Sequence, residues 1–421
     1  MQKTISFHTL GCKLNFAETS TIIKKFTDNG FVKVKFGEKA DVSIINTCTV
    51  TSQADKKSRQ AIKKAVKKSE GAKVIVVGCS AQLHQQELAG IEGVTFVATA
   101  KDKFNVYDLY QKTEKENTLF SCEIEDVNDY ESAYSVGDRT RSFLKVQDGC
   151  DYVCSYCTIP LARGKSRNTF VKDIVNQANE IAENGFQEIV LTGVNIGDFG
   201  KSTNETFFDL IKGLDKVEKI KRYRISSIEP NLLTTEIISF VAKSDKFLPH
   251  FHIPLQAGSD KILALMKRRY NSKLFKNKIL EIHKAIPDAF FGIDVIVGFP
   301  GETIEDFKKT YDLLSELPIS FLHIFPYSDR ENTVSVSMKN KLNGSEINHR
   351  AALLKKLSDK KHLEFYQKHI GRSYEVLFES QNIEGKMHGF TSNYIKVETI
   401  FDKNLINKIK SVKLSEENIK F

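Results

Sequence analysis

Cys150-Asp151-Tyr152-Val153-Cys154-Ser155-Tyr156-Cys157 sets three thiols within eight residues. The strand-like run Ser142-Phe143-Leu144-Lys145-Val146 and the turn pair Asp148-Gly149 lead into it. Three converging thiolates make a soft, anionic site suited to zinc or to an iron–sulfur cluster. The fourth nearby cysteine that a closed structural zinc site calls for is absent.

On the carboxyl side, further strand candidates follow, each ending in polar or glycine residues. They are Glu188-Ile189-Val190-Leu191 before Thr192-Gly193-Val194-Asn195, and Arg222-Tyr223-Arg224-Ile225 before Ser226-Ser227-Ile228-Glu229-Pro230. Next come His250-Phe251-His252-Ile253 before Pro254-Leu255-Gln256-Ala257-Gly258-Ser259, and Gly292 to Val297 before Gly298-Phe299-Pro300-Gly301-Glu302. The last is Phe321 to Phe325 before Pro326-Tyr327-Ser328. Helical segments such as Val171 to Glu183 and Asp260 to Met266 lie between them. With the strand before the cysteines these make six βα units, too few for an eight-fold barrel. A partial barrel still places its active site at the carboxyl ends of its strands, where all these polar loops fall. His250 and His252 alternate along one strand, so one is expected to face the interior; each reads first as a core or surface histidine.

On the amino side, residues 123–138 are acidic and polar and read as a linker. Before it, residues 3–10 form a strand ending at Gly11-Cys12, followed by a helix from about Phe16 to Asp28. The strand Asp41 to Asn46 ends at Thr47-Cys48-Thr49, followed by a helix over Ser52 to Lys68. The strand Lys73 to Val77 ends at Gly78-Cys79. Strands alternating with helices predict an open parallel sheet with right-handed crossovers. Cys12, Cys48 and Cys79 each sit just past the carboxyl end of a strand, where open parallel sheets bind ligands. One such cysteine would read as a small buried apolar residue. Three at equivalent loops point to a shared metal site. Cys122, in a strand-like segment with no partner motif, reads as structural. Lys56, Lys57, Arg59, Lys63, Lys64, Lys67 and Lys68 on the long helix form either a solvated face or a phosphate-facing surface.

The chain has 421 residues, enough for two or three domains with full cores. Its 41% hydrophobic and 27% charged residues describe a soluble globular protein, and no apolar run reaches the length of a membrane span. The start lacks a signal peptide's apolar core, so a cytoplasmic location is expected. Seven cysteines, an odd number in a long chain, argue against a disulfide framework. The net charge of +9 is a mild pointer to a polyanionic partner.

Taken together the chain resembles the methylthiotransferase branch of the radical S-adenosylmethionine (SAM) superfamily. The resemblance rests on Leu10-Gly11-Cys12, Asn46-Thr47-Cys48-Thr49-Val50-Thr51, Gly78-Cys79-Ser80-Ala81-Gln82 and the Cys150–Cys157 loop with Cys157-Thr158-Ile159-Pro160 and Arg163-Gly164. It extends through Ser227-Ile228-Glu229-Pro230, Leu255 to Ser259 and Gly298 to Glu302. Within the branch, residues 46–51 and Lys267-Arg268-Arg269-Tyr270 look most like the tRNA threonylcarbamoyladenosine (t6A) methylthiotransferases.

The resemblance implies that Cys150, Cys154 and Cys157 hold a [4Fe-4S] cluster whose fourth iron is left for SAM. It implies that Cys12, Cys48 and Cys79 hold a second, auxiliary [4Fe-4S] cluster with its own open iron. Tyr156 and the turn from Ile296 to Phe299 would meet the adenine of SAM, and Glu229 its ribose, with Ser227 and Gln256 in the flanking loops. Thr192, Gly193 and Asn195 occupy the place of the superfamily's Gly-Gly-Glu loop, from which this sequence departs. The implied domains are an N-terminal methylthiotransferase domain (1–122), the linker (123–138), a radical SAM domain (139–370) and a small β-barrel of the RNA-binding TRAM type (371–421). The tail is nearly neutral, with Arg372 and seven lysines against seven acidic residues. RNA binding there needs charges sorted onto one face, or aromatics such as Tyr394 to stack bases.

The implied reaction places a methylthio group on carbon 2 of t6A at position 37 of tRNA. An aromatic C–H bond is not acidic enough for general-base chemistry, so a radical from reductive SAM cleavage is called for. An electron donor such as flavodoxin or ferredoxin, a sulfur source and a monomeric state complete the picture. The rivals are the same chemistry on isopentenyladenosine or on a ribosomal-protein aspartate, and a non-catalytic zinc protein that binds RNA. A cationic pocket for the t6A carboxylate would separate the first two, with Lys267 to Arg269 as the sequence's suggestion.

Overall fold

The computed structural model describes residues 2–68, 71–114, 116–137 and 140–420. The first region is a six-stranded parallel sheet in the order β2-β1-β3-β4-β5-β6. Its strands are β1 (Thr4–Thr9), β2 (Val32–Val34), β3 (Val42–Thr47), β4 (Lys73–Gly78), β5 (Phe96–Ala98) and β6 (Thr118–Phe120). Every residue of β3 is buried, as a central strand covered on both faces requires. Thr9 pairs with Asn46 and Thr47 with Gly78, so the three strands preceding the predicted cysteines end side by side. Helix α1 (Lys13–Thr27) begins directly after Cys12, earlier than the expected Phe16, because Cys12 itself takes the extended N-cap conformation. Helix α2 (Ser52–Lys68) buries Ser58, Ala61, Ile62 and Ala65 on one stripe and leaves its lysines outside. Helix α3 (Cys79–Leu83) starts on the third cysteine.

The second region contains all six expected strands, each parallel to its neighbour: β7 (Ser142–Lys145), β8 (Glu188–Thr192), β9 (Arg222–Ile225), β10 (His250–Gln256), β11 (Phe290–Val297) and β12 (Phe321–Pro326). They form two three-stranded sheets, β7-β8-β9 and β10-β11-β12, that meet through the bridges Tyr223–Phe247 and Ser227–His252. One apolar core runs through both, from Leu144 and Leu191 to Ile253, Ile293 and Leu322. Four helices that periodicity alone left unnamed complete the βα units: Phe207–Asp215, Thr235–Lys243, Ser272–Ala285 and Ile304–Glu316. Each begins at a polar cap, Thr206, Thr234, Asn271 or Thr303, whose side chain accepts a first-turn N–H.

The long helix Gly344–His369 anchors on β12, where Ser358 Oγ accepts the Leu322 N–H at 3.0 Å. The tail is a four-stranded antiparallel sheet, β15-β14-β13-β16, with its own core around Val376, Phe378, Met387 and Val397. Its strands are β13 (Ser373–Phe378), β14 (Lys386–Thr391), β15 (Lys396–Ile400) and β16 (Ile409–Lys413). Tyr394 lies between β14 and β15 at φ +70°. The expected linker is packed rather than free: Val127 and Ala133 are buried and Tyr130 Oη donates to the Lys145 carbonyl at 2.6 Å. Its last residue, Asp138, and Arg139 after it lie outside the described residues. No helix among the described residues is long and apolar enough to cross a membrane.

Candidate active site

The Cys150–Cys157 loop is held by backbone contacts from three directions. Cys150 N–H donates to Gly164 O (3.0 Å), Ser155 N–H to Met266 O (3.2 Å) and Ser335 N–H to Ser155 O (2.7 Å). Gly149, at φ +68°, lies so close to Lys165 that a Cβ would stand 1.9 Å from its carbonyl oxygen, which only glycine permits. Buried Gln147 ties this loop to the next: its Nε2 donates to Gly149 O (2.7 Å), and its Oε1 accepts the N–H groups of Val194 and Asn195 (2.9 Å each). The Thr192–Asn195 loop is thus set beside the cysteines even though it lacks the superfamily's acidic residue.

Burial pushes the Cys150 and Cys157 thiols up to about 12 and raises Cys154 as well. Buried thiols of this kind become thiolates when a cationic metal centre neutralises them. Arg268, proposed from sequence as a substrate contact, instead faces this loop. Its Nη1 donates to Cys154 Sγ at 3.0 Å and its Nη2 pairs with Glu229. Tyr156 meets Phe299 edge-on at 6.2 Å, and both pack with Ile296 in one apolar cluster, so the three residues expected at an adenine come together. Gln256 adopts φ +66°, a left-handed conformation uncommon outside glycine, and its buried Oε1 has no partner. Asn195 Nδ2 and Oδ1, Asp198 Oδ2, Asn231 Oδ1 and Ser226 Oγ are likewise buried without partners. Such orphaned groups demand hydrogen bonds from something bound, and SAM, with its amino, carboxylate and hydroxyl groups, suits them. Asp198 and Asn231 carry no motif and were not anticipated; Asn231 is tied to the loop through Tyr152 Oη at 2.8 Å.

The other three cysteines also meet. A Cβ on Gly11 would lie 2.8 Å from Cys48 Sγ, so glycine there (φ +96°) lets the first loop close on the second. Asn15 binds both loops, donating to Leu10 O (2.8 Å) and Thr47 O (3.1 Å), while its Oδ1 accepts from Arg163 Nη2 (2.6 Å). Burial raises Cys79 and pushes Cys48 up to about 12, and the charges of neighbouring thiols add to both shifts. Behind them sits a buried network: Glu18 with Lys103 (2.6 Å) and Arg163 (3.0 Å), and Asp148 with Lys145 (2.8 Å), Arg163 (2.8 Å) and Arg167 (3.2 Å). Four cations on two carboxylates leave positive charge beside Cys79, which complements an anionic thiolate-ligated centre.

Among the described residues, the one set of three metal-type ligand atoms mutually within 4.8 Å is His252, Asp294 and His323. Neither cysteine trio is that compact. Cys122, read as structural, accepts a hydrogen bond from Thr99 Oγ1 at 3.2 Å.

A cavity of about 570 Å³ joins the two regions and the tail. Gly11, Cys12 and Lys13 line it from the first region, Thr192, Gly193 and Ser227 from the second, and Phe390 and Tyr394 from the tail. His250, buried and stacked on Phe290, and His252, hydrogen-bonded to Asp294 at 2.6 Å, both line it together with His323.

A parallel βα core with a three-cysteine loop after its first strand defines the class, and residues 144–314 match the Radical SAM superfamily. Residues 4–99 match the uncharacterized protein family UPF0004. The fold resembles the radical S-adenosylmethionine methyltransferase TsrM from Kitasatospora setae, solved with cobalamin and a [4Fe-4S] cluster bound, with a TM-score of 0.57 at 12% identity over 77% of this chain and 75% of that one. Threonylcarbamoyladenosine tRNA methylthiotransferase MtaB of Bacillus subtilis is 37% identical over 98% of this chain and 93% of its own length. A tRNA-2-methylthio-N(6)-dimethylallyladenosine synthase of Thermodesulfovibrio yellowstonii is 31% identical over 98% of this chain and 96% of its own. The chain belongs to the MtaB-type radical SAM methylthiotransferases.

Proposed function

We propose that this protein methylthiolates carbon 2 of t6A at position 37 of tRNA. The observation that carries the reading is the single cavity shared by Cys12, by Thr192, Gly193 and Ser227, and by the aromatic side chains of the tail. One space thus offers the base access to the Cys12 loop and to the Thr192–Gly193 loop, whose continuation Gln147 ties to the cysteine turn at Gly149. The higher identity to the relative named for threonylcarbamoyladenosine favours t6A over isopentenyladenosine.

In this reading Cys150, Cys154 and Cys157 hold one [4Fe-4S] cluster and Cys12, Cys48 and Cys79 a second. When bound, these groups and SAM supply the radical chemistry that an unactivated aromatic C–H bond needs. The chain's own part is to bind, orient and exclude water. Tyr156, Ile296 and Phe299 give adenine an apolar seat, Glu229 accepts from ribose hydroxyls, and Asn195, Ser227 and Gln256 serve the remaining polar groups, with Thr192 and Gly193 shaping the loop. Arg268 balances charge at Cys154. The six parallel strands act as a partial barrel, bounded by 139–370, between the 1–122 domain and a TRAM-type module at 371–421, with 123–138 as the connector. The protein works as a cytoplasmic monomer with a flavodoxin- or ferredoxin-type electron donor and a separate sulfur source.

Anaerobic reconstitution is expected to give about eight irons per chain. Incubation with SAM, reductant and t6A-containing tRNA is expected to convert the nucleoside to its methylthio form by mass spectrometry. Four irons, or conversion of isopentenyladenosine instead, overturns the reading.

A further inference from the structure

The cavity contains a lysine without a carboxylate partner. Lys13 lines it directly after Cys12, and no carboxylate pairs with Lys13 among the described residues. The carboxylates nearby are already engaged: Glu188 accepts from Arg224 Nε (3.1 Å), Glu379 from Arg141 (2.7 Å), and Asp294 meets His252 (2.6 Å). Arg224 is buried with its guanidinium 4.6 Å from the Tyr394 ring, and both its terminal nitrogens lack partners. Burial disfavours the Tyr394 phenolate, yet Arg141, Lys13 and Arg224 outweigh it and lower the pKa of this cavity tyrosine. Arg141 and Arg224 thus stand 5.9 and 4.6 Å from the Tyr394 ring, on the same cavity that Lys13 lines.

His252, Asp294 and His323 lie within 4.8 Å of one another, and Asp294 is hydrogen-bonded to His252 at 2.6 Å. That carboxylate is therefore held by a histidine and not by Lys13.

We propose that Lys13 binds the carboxylate of the threonylcarbamoyl group while the cavity's aromatic rings hold the base. This deepens the t6A reading above and rests on it. The rings are arranged for stacking: Phe390 and Tyr394 lie 4.9 Å apart and nearly parallel, and His250 lies 5.5 Å from Phe290 at 7°. Because Lys13 is the residue after Cys12, the anion contact and the cysteine of the auxiliary site ride on one turn of backbone. Capture of the side-chain carboxylate therefore fixes where the base lies relative to that cysteine. A neutral isopentenyl group leaves Lys13 without that partner, which selects against it.

The test uses reconstituted full-length protein and anticodon stem-loops carrying t6A, the methyl ester of t6A, isopentenyladenosine or unmodified adenosine at position 37. Equilibrium binding, turnover and iron content are measured for wild type, Lys13→Met and Lys13→Arg. Wild type is expected to bind t6A roughly tenfold to a hundredfold more tightly than its ester, the range of a charged hydrogen bond. Lys13→Met is expected to erase that preference with iron unchanged, and Lys13→Arg to keep most of it. Equal weakening on all four RNAs would identify Lys13 as a backbone-phosphate contact and overturn the proposal. So would wild type binding ester and acid alike, a comparison that decides the matter even if Lys13→Met loses its clusters. Methylthiolation of the isopentenyl stem-loop alone overturns the underlying reading instead.

Discussion

Arg268 and Gln147 illustrate how single side chains complete what the cysteines begin. Three thiols raised by burial do not ionise at neutral pH by themselves; among the described residues, Arg268 on Cys154 is the one guanidinium that donates to them directly. Gln147 supplies the positional control, gripping the cysteine turn with its amide nitrogen and the neighbouring loop with its oxygen. Each thiol trio is self-contained, which makes their losses separable. Cys79→Ala is expected to remove about half the iron while 5′-deoxyadenosine is still formed from SAM with a strong reductant. Cys154→Ala is expected to remove the other half and abolish SAM cleavage. Iron assay and product chromatography read both; full iron in Cys79→Ala would refute a metal role for that trio.

Elements meet through charge as much as through apolar packing. Helix α1 contributes Glu18, the strand β7 contributes Lys145, and the helix Ile159–Arg163 contributes Arg163, so one buried network locks the first region to the loop that carries Cys150. A second clamp, Arg330 on Thr49 and Asp55, fixes the Cys48 loop against the segment after β12. Removing one partner of a buried network strands the others, at a cost of about 3–5 kcal/mol. Glu18→Gln is expected to lower stability to chemical denaturant by that order. Burial opposes the charges of Glu18 and Asp148, but the surrounding lysines and arginines win and hold both pKa values well below the usual carboxylate range. Their stabilisation is therefore complete above the unfolded carboxylate value near 4 and is lost as pH falls below it. Acid unfolding monitored by circular dichroism is expected to be less steep in Glu18→Gln than in wild type.

The molecule as a whole brings three regions onto one cavity, and its basic surface lies elsewhere. Lys56, Lys57, Lys63, Lys64, Lys67 and Lys68 of α2 are exposed, whereas the tail's Lys386 and Lys420 are drawn onto Glu398. Changing Lys63, Lys64, Lys67 and Lys68 to glutamine is expected to weaken tRNA binding at every base identity of position 37 and to flatten its salt dependence. A salt titration by filter binding checks this; an unchanged slope would move the RNA surface away from α2.

How much of this was legible beforehand follows the range of the interactions. Strand ends, the three-cysteine loop and the thiols after β1, β3 and β4 are local patterns, written in consecutive residues, so the parallel architecture and both candidate metal sites could be read from the chain directly. The split between β9 and β10, the packed linker and the fourth tail strand could not, because they depend on how neighbouring elements close on one another. Arg268 and Lys13 mark the limit most clearly. Arg268 was singled out by its basic run but for another role, Lys13 was not singled out at all, and the surroundings of each come from segments remote along the chain: for Arg268, Cys154 and Glu229; for Lys13, the walls supplied by β10, β12 and the turn at Tyr394. Local sequence specified which atoms could bind metal. Long-range packing, which brings segments remote along the chain around Lys13, set what those atoms face.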